Sequence, residues 1–230
     1  MIETVLPSGV AAVDTRQLRD DHPLHADESR LLARAGEKRR REFATGRKCA
    51  HDAMAALGVD SIAVPSAAGG EPIWPAGLVG SITHCEGYCA GAVARAGEIV
   101  GIGIDAEPNR PLPAGVGLAT IASPSERLRV VALERARPGI RWDKLLFSAK
   151  ESVYKAWSSL SGERWLDFEH AAVAFDPLAR TFVAELLVPT TAGTGRPLSA
   201  VSGRWASDGE LLVTAAVIGR NLLTTARISD

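Results

Sequence analysis

Apolar residues recur at helical spacing in two long stretches of the chain and at strand spacing in several shorter ones. The first helical pattern covers 28–57 and stops at Gly58, a residue suited to ending a helix. Residues 1–27 hold Pro7, Pro23 and scattered Asp and His, and read as an irregular opening. Residues 66–77 are rich in Gly and Pro and read as a loop. Strands are expected over 78–94 and 99–106, the second a β-branched run interrupted by glycines. Pro108, Pro111 and Pro113 mark the clearest break in the chain. Ser123-Pro124-Ser125-Glu126 then offers an N-cap serine, a proline at the first helical position and a glutamate at the third, so a helix should follow to about Ala136. A second strong helical pattern covers 142–157. Strand-like stretches follow at 171–175, 181–188, 200–205 and 211–217.

The order of elements repeats even though no letters do: a major helix precedes a set of strands in each half. The expected fold is therefore α/β of the α+β type. It would comprise two pseudo-symmetric halves, residues 1–108 and 109–230, each a major helix packed on an antiparallel sheet. A ligand cleft is expected between them.

Composition narrows the function classes. The 230 residues carry a formal net charge of −1, which argues against a protein that coats nucleic acid. The first residues lack a basic, apolar leader pattern, and the longest apolar stretch, near 211–218, is far too short for a bilayer. Cys49, Cys85 and Cys89 are an odd count and suggest no disulfide framework. A cytoplasmic protein with reduced thiols and no membrane partner is expected.

Candidate chemistry begins with Gly101-Ile102-Gly103-Ile104-Asp105-Ala106-Glu107-Pro108. On a strand, Ile102, Ile104 and Ala106 share one face, which should be the core. Gly101, Gly103, Asp105 and Glu107 share the other, where two carboxylates follow bare backbone and leave room for a bulky ligand. Such oxygens suit Mg²⁺, which keeps waters and shares its shell with substrate phosphates; an isolated D-x-E more often only solvates a strand end. The glycines also fit a loose dinucleotide fingerprint, but that motif should open a helix and this one runs into Pro108. No Gly-x-x-x-x-Gly-Lys-Ser/Thr phosphate loop is present.

On the 142–157 helix, Trp142, Leu146, Val153 and Trp157 form an apolar stripe with Leu145, Ala149 and Ala156 beside it. Glu151 and Lys155 lie opposite, four residues apart. They form either a solvent ion pair or a third metal carboxylate with a lysine for a phosphate leaving group. Phe147 and Tyr154 flank Glu151, which indicates that something covers this face.

On the first helix, Lys38-Arg39-Arg40-Arg41 would ordinarily be solvated, yet Arg39 and Arg47 fall on the stripe of Phe43, Ala50, Met54 and Leu57. Charges on an apolar face need partners, and phosphate is a good one. His84, Cys85, Cys89, Cys49 and His51 lack the paired spacing of a zinc site.

Taken together, four segments resemble the Sfp-type 4′-phosphopantetheinyl transferases, and their actinobacterial members most. They are Phe43-Ala44-Thr45-Gly46-Arg47-Lys48-Cys49-Ala50, Gly80-Ser81-Ile82-Thr83-His84, Gly101 through Glu107, and Phe147-Ser148-Ala149-Lys150-Glu151-Ser152-Val153-Tyr154-Lys155-Ala156-Trp157. The resemblance spans roughly 38–168. It implies a monomer of two α/β halves with coenzyme A as co-substrate in the cleft. It further implies Mg²⁺ (or Mn²⁺) held by Asp105, Glu107 and Glu151. Arg39, Arg47, Thr83 and His84 would meet the nucleotide's phosphates, while Lys150 and Lys155 would meet the pyrophosphate and assist departure of 3′,5′-ADP. Glu151, directly or through water, would be the base for the serine of an apo acyl or peptidyl carrier protein. Relatives often carry a basic residue in the loop before the first strand, where this chain has Ser66-Ala67-Ala68-Gly69-Gly70-Glu71-Pro72.

Two other readings share these residues: a different Mg²⁺-dependent phosphohydrolase or nucleotidyl transferase, and a non-catalytic coenzyme A or anion-binding module. An acidic carrier would suit Arg127, Arg129 and Arg137, and residues 111–118 would offer an apolar docking edge or simply a linker.

Overall fold

The computed structural model describes residues 1–113, 115, 117–161, 167–188, 191–192 and 196–223. The proposed edge at 111–118 and the 38–168 resemblance therefore each include residues outside the description. A short 3-10 turn, Ile2–Val5, opens the chain and is followed by β1 (Val10–Thr15). β1 lies inside the stretch expected to be irregular. Its run Val10-Ala11-Ala12-Val13 does not alternate, which hid it, and it becomes a strand by pairing antiparallel to residues 89–94.

The pattern at 28–57 is not one helix. α1 (Ala26–Ser29) runs into a 3-10 turn at Arg30–Leu32, and α2 (Glu37–Ala56) starts afresh with Gly36 as its N-cap. Glu28 explains the separation. Its carboxylate is fully buried and accepts from the backbone N–H groups of His25 and Val64 and from the His51 ring. α1 is thus pinned beneath α2 rather than continuing into it.

The stretch 78–94 is likewise two strands, β2 (Leu78–Cys85) and β3 (Tyr88–Arg95). Gly87, at φ +70°, makes the hairpin turn between them. A three-stranded antiparallel sheet of order β1-β3-β2 carries α2 on one face.

The second sheet has five antiparallel strands, which lie across it in the order 99–108, 211–219, 200–207, 181–186 and 171–176. Along the chain these are β4 (Ile99–Pro108), then α3 (Leu118–Ile121), α4 (Pro124–Ala136) and α5 (Trp142–Ser161). There follow β5 (Ala171–Asp176), β6 (Thr181–Leu186), the two-residue pair β7 (Thr191–Ala192) and β8 (Arg196–Pro197), β9 (Ala200–Ser207) and β10 (Leu211–Gly219). α4 carries the expected cap, with Ser123 Oγ accepting from Glu126 N–H and the Glu126 carboxylate accepting from Ser123 N–H. Because β4 pairs with β10, the division between sheets falls between β3 and β4. The proline-rich break at 108 does not coincide with it.

The two sheets meet where β2 runs beside β4. Here Ser81 Oγ accepts from Ile104 N–H (3.1 Å) and Thr83 Oγ1 from Ala106 N–H (3.2 Å), so side-chain hydroxyls replace a backbone ladder. β4 is buried on both faces. Ile102, Ile104 and Ala106 pack with Tyr88, Val213 and the N-terminal turn, as the alternation predicts. On the other side, the α5 stripe of Trp142, Leu146, Val153 and Trp157 is buried with Phe182, Trp205 and Leu212. Each aliphatic side chain fully buried this way contributes about 1.5–3 kcal/mol. Among the described residues, no helix is long and apolar enough to cross a membrane.

Candidate active site

α5 lies directly on β4 because Gly101 and Gly103 let it. A Cβ on Gly103 would stand 1.8 Å from Ser152 O, and one on Gly101 2.5 Å from Ala156 O. The expectation that these glycines open room for a ligand is corrected: helix backbone fills that room. The contact brings one face of α5 against the carboxylate end of the strand. Lys144, Ser148, Glu151 and Lys155 recur every three or four residues and so share that face.

Lys155 Nζ donates to Asp105 Oδ1 (2.7 Å) and to the carbonyl of Ile104 (3.1 Å). Thr83 Oγ1 also donates to Asp105 Oδ1, at 3.3 Å. Asp105 is buried, and its second oxygen, Oδ2, has no hydrogen-bond partner. Lys144 Nζ donates to Glu107 Oε2 at 3.1 Å. Burial first, and then the charge of Asp105, pushes the Glu107 carboxyl above the usual glutamate range. Glu151 is pushed the same way by burial, with Asp105 and Glu107 adding to the shift and Lys155 opposing it. Three carboxylates that repel one another in a dry setting, one with an orphaned oxygen, form a donor set short of positive charge. That fits a hard divalent cation.

They do not close into an all-protein cage. Among the described residues, the trio of ligand atoms mutually within 4.8 Å is Asp167, Glu169 and His170. There Asp167 and His170 cap an exposed turn. A Mg²⁺ site that expects waters and phosphate oxygens has no need of such closure.

Beside the carboxylates lies a cavity of ≈ 490 Å³ between loop 67–72, β2 and α5, lined by Trp74, Gly80, Ser81, Glu151, Tyr154 and Lys155. The cavity therefore sits between β2 of the first sheet and α5, which packs on the second. Tyr154 lines it directly, whereas Phe147 packs on Phe168, ring centroids 5.5 Å apart.

α2 presents the cations. Arg47 stacks over Phe43, its guanidinium 4.2 Å from the ring centroid, and Arg39 approaches the same ring at 5.7 Å. Arg47 is buried; its Nη2 donates to Ser66 Oγ (2.9 Å) and its Nε has no partner. Burial lowers its pKa to about 10, so it stays charged at neutral pH. Arg39 Nη1 donates to His84 Nε2 at 3.4 Å, and Glu42 lies 3.8 Å from His84 Nδ1. Desolvation holds the imidazole below its usual pKa despite Glu42.

Two residues expected at the phosphates, Lys150 and Thr83, make protein contacts in this structure. Lys150 projects from the other side of α5, where Nζ donates to Glu126 Oε2 (3.0 Å) and to the carbonyl of Phe168 (2.6 Å). Residues 150 and 151 are about 100° apart on a helix, so both cannot face β4. Thr83 spends its hydroxyl on Asp105 and the β2–β4 seam. Lys144 was not singled out in the sequence, although its spacing of seven from Glu151 and eleven from Lys155 puts it on their stripe. Of the Cys and His residues weighed for zinc, His51 is committed to Glu28, and Cys49 is buried with its thiol pushed up to about 12 by desolvation.

Residues 27–94 match the 4′-phosphopantetheinyl transferase N-terminal domain, and residues 101–211 the 4′-phosphopantetheinyl transferase superfamily. The junction coincides with the sheet division between β3 and β4. The chain is 47% identical over 221 residues to the 4′-phosphopantetheinyl transferase Svp of Streptomyces mobaraensis, covering 95% of this chain and 89% of that one. It is 44% identical over 225 residues to Npt of Nocardia iowensis (94% and 99% covered). It is 42% identical over 197 residues to PptT of Mycobacterium tuberculosis (84% and 85%). With its antiparallel halves and the carboxylate seam between them, the chain belongs to the 4′-phosphopantetheinyl transferase superfamily, enzymes that move the phosphopantetheine arm of coenzyme A onto carrier proteins.

Proposed function

We propose that Asp105, Glu107 and Glu151 hold one Mg²⁺ (Mn²⁺ serving in its place) against the pyrophosphate of coenzyme A in the cavity beside Tyr154 and Lys155. The observation that supports this is the buried Oδ2 of Asp105, which has no partner beside two carboxylates whose pKa values are raised. When bound, the cation would supply charge neutralisation for the transferring phosphoryl group.

The chain's own residues supply alignment and proton handling. Arg47, Arg39 and His84 would take the nucleotide's phosphates, the buried Arg47 Nε having no partner of its own. Lys155 holds Asp105 in place and offsets charge that grows on the 5′-phosphate oxygen of the departing 3′,5′-ADP. Glu151 takes the proton of the carrier serine directly or through water. The serine oxygen then bonds to the β-phosphorus of coenzyme A in line with the departing group. The P–O bond to 3′,5′-ADP breaks, and its electron pair leaves with that product. Action as a monomer is part of this proposal. Acidic acyl or peptidyl carrier domains are the partners, for which Arg129 and Arg137 are exposed and Arg127 is half-buried.

Release of 3′,5′-ADP, followed with and without an apo carrier protein, tests this reading. Release that requires both the carrier and Mg²⁺ supports it. Release without carrier would favour a hydrolase, and coenzyme A binding indifferent to an Asp105→Asn substitution would favour a binding module.

A further inference from the structure

Lys144 is an unusual residue to find under a helix. It is 7% exposed, and its ammonium donates to one carboxylate oxygen, Glu107 Oε2, with the face of Phe147 5.6 Å away. A buried ammonium is costly unless a partner offsets it. The pair also spans two elements: Lys144 lies in the first turn of α5, and Glu107 is next to last in β4. Glu107 Oε1 takes no hydrogen bond from the described residues, so the lysine engages one oxygen and leaves the other open.

We propose, resting on the metal-site reading above, that Lys144 is a positioning residue that fixes the Glu107 carboxylate so that its free oxygen is presented to the divalent cation. The geometry at Asp105 is the counterpart. There Lys155, eleven residues further along the same stripe, engages Oδ1 and leaves Oδ2 without a partner. α5 thus supplies one lysine to each strand carboxylate and places Glu151 between the two lysines. Each lysine holds one oxygen of its carboxylate and neutralises part of a cluster whose negative charges repel.

Mn²⁺ binding to the intact protein, followed by electron paramagnetic resonance with saturating coenzyme A and no carrier, tests this apart from turnover. Lys144→Met should weaken Mn²⁺ affinity by about 10–100-fold, the usual cost of losing a group that orients a ligand. Lys144→Arg, which keeps a donor to Glu107, should bring it back to within a few-fold of the parent. Coenzyme A affinity in EDTA should be unchanged in both variants. In a Glu107→Gln background, Lys144→Met should add no further loss. Parental Mn²⁺ affinity in a folded Lys144→Met protein would overturn the proposal. Loss of coenzyme A affinity in EDTA would also overturn it, assigning Lys144 to the nucleotide instead. Failure of the parent protein to bind Mn²⁺ at all would overturn the metal-site reading itself, and this inference with it.

Discussion

Gly103 and Ser152 touch backbone to backbone: a Cβ added to the glycine would lie 1.8 Å from the serine's carbonyl oxygen. That contact holds α5 on β4 and so places Glu151 and Lys155 beside Asp105. Gly103→Ala should force the helix away. Overpacking of this kind costs about 1–3 kcal/mol, and for a chain of this size each kcal/mol lowers Tm by about 2–4 °C. Activity measured well below the new Tm should fall further than the folded fraction does, because the carboxylates separate. Thermal melting together with turnover checks both, and parental activity in the variant would contradict the account.

Lys150 makes its contacts within the fold. Its ammonium is buried with Glu126, whose other oxygen accepts from Val173 N–H. Lys150→Met should destabilise by about 3–5 kcal/mol, the cost of leaving a buried charge unpaired. KM for coenzyme A, measured on the folded fraction, should stay near the parental value. A large rise in KM without loss of stability would return Lys150 to the site.

These two residues also show what the sequence could reveal. Strand alternation separated Ile102, Ile104 and Ala106 from Asp105 and Glu107 correctly, and helical spacing gave the buried stripe of α5. The meaning of Gly101 and Gly103 was not legible, because a glycine records that something comes close without saying what. Adjacency in a motif pulled Lys150 toward Glu151, where helical geometry separates them. Lys144 was legible in principle, since only its spacing from Glu151 and Lys155 was needed. β1 was missed because an apolar run of four without alternation acquires its conformation from its neighbour. The joining of β4 to β10 across more than a hundred residues leaves no local trace in the chain at all.

The carboxylates set a pH signature for the metal-free protein. Glu107 and Glu151 both have pKa values raised on folding, so between their unfolded and folded values the native state binds more protons than the unfolded chain. By linkage, their contribution to stability falls as pH rises from the ordinary glutamate range toward neutrality. A divalent cation reverses that penalty only where the groups are ionised. Mg²⁺ should therefore raise Tm more at pH 7.5 than at pH 5, read by differential scanning fluorimetry in the presence of coenzyme A. An equal or larger shift at pH 5 would contradict the assignment.

Arg47 combines a fork of donors with a stacked position over Phe43 at 4.2 Å. Arg47→Lys keeps the charge and loses both features. Loss of one charge-assisted hydrogen bond is worth about 1.5–3 kcal/mol, so Kd for coenzyme A should rise by about 10–100-fold. Isothermal titration measures this directly, and kcat at saturating coenzyme A should change little. An unchanged Kd would remove Arg47 from the nucleotide site.

The most direct test of the central claim is the intact mass of an apo carrier protein after incubation with this enzyme, coenzyme A and Mg²⁺. The account predicts a gain of one phosphopantetheine, absent with EDTA and nearly absent with a folded Glu151→Gln variant. A full gain from Glu151→Gln, or one that persists in EDTA, would contradict the roles given to the carboxylate seam.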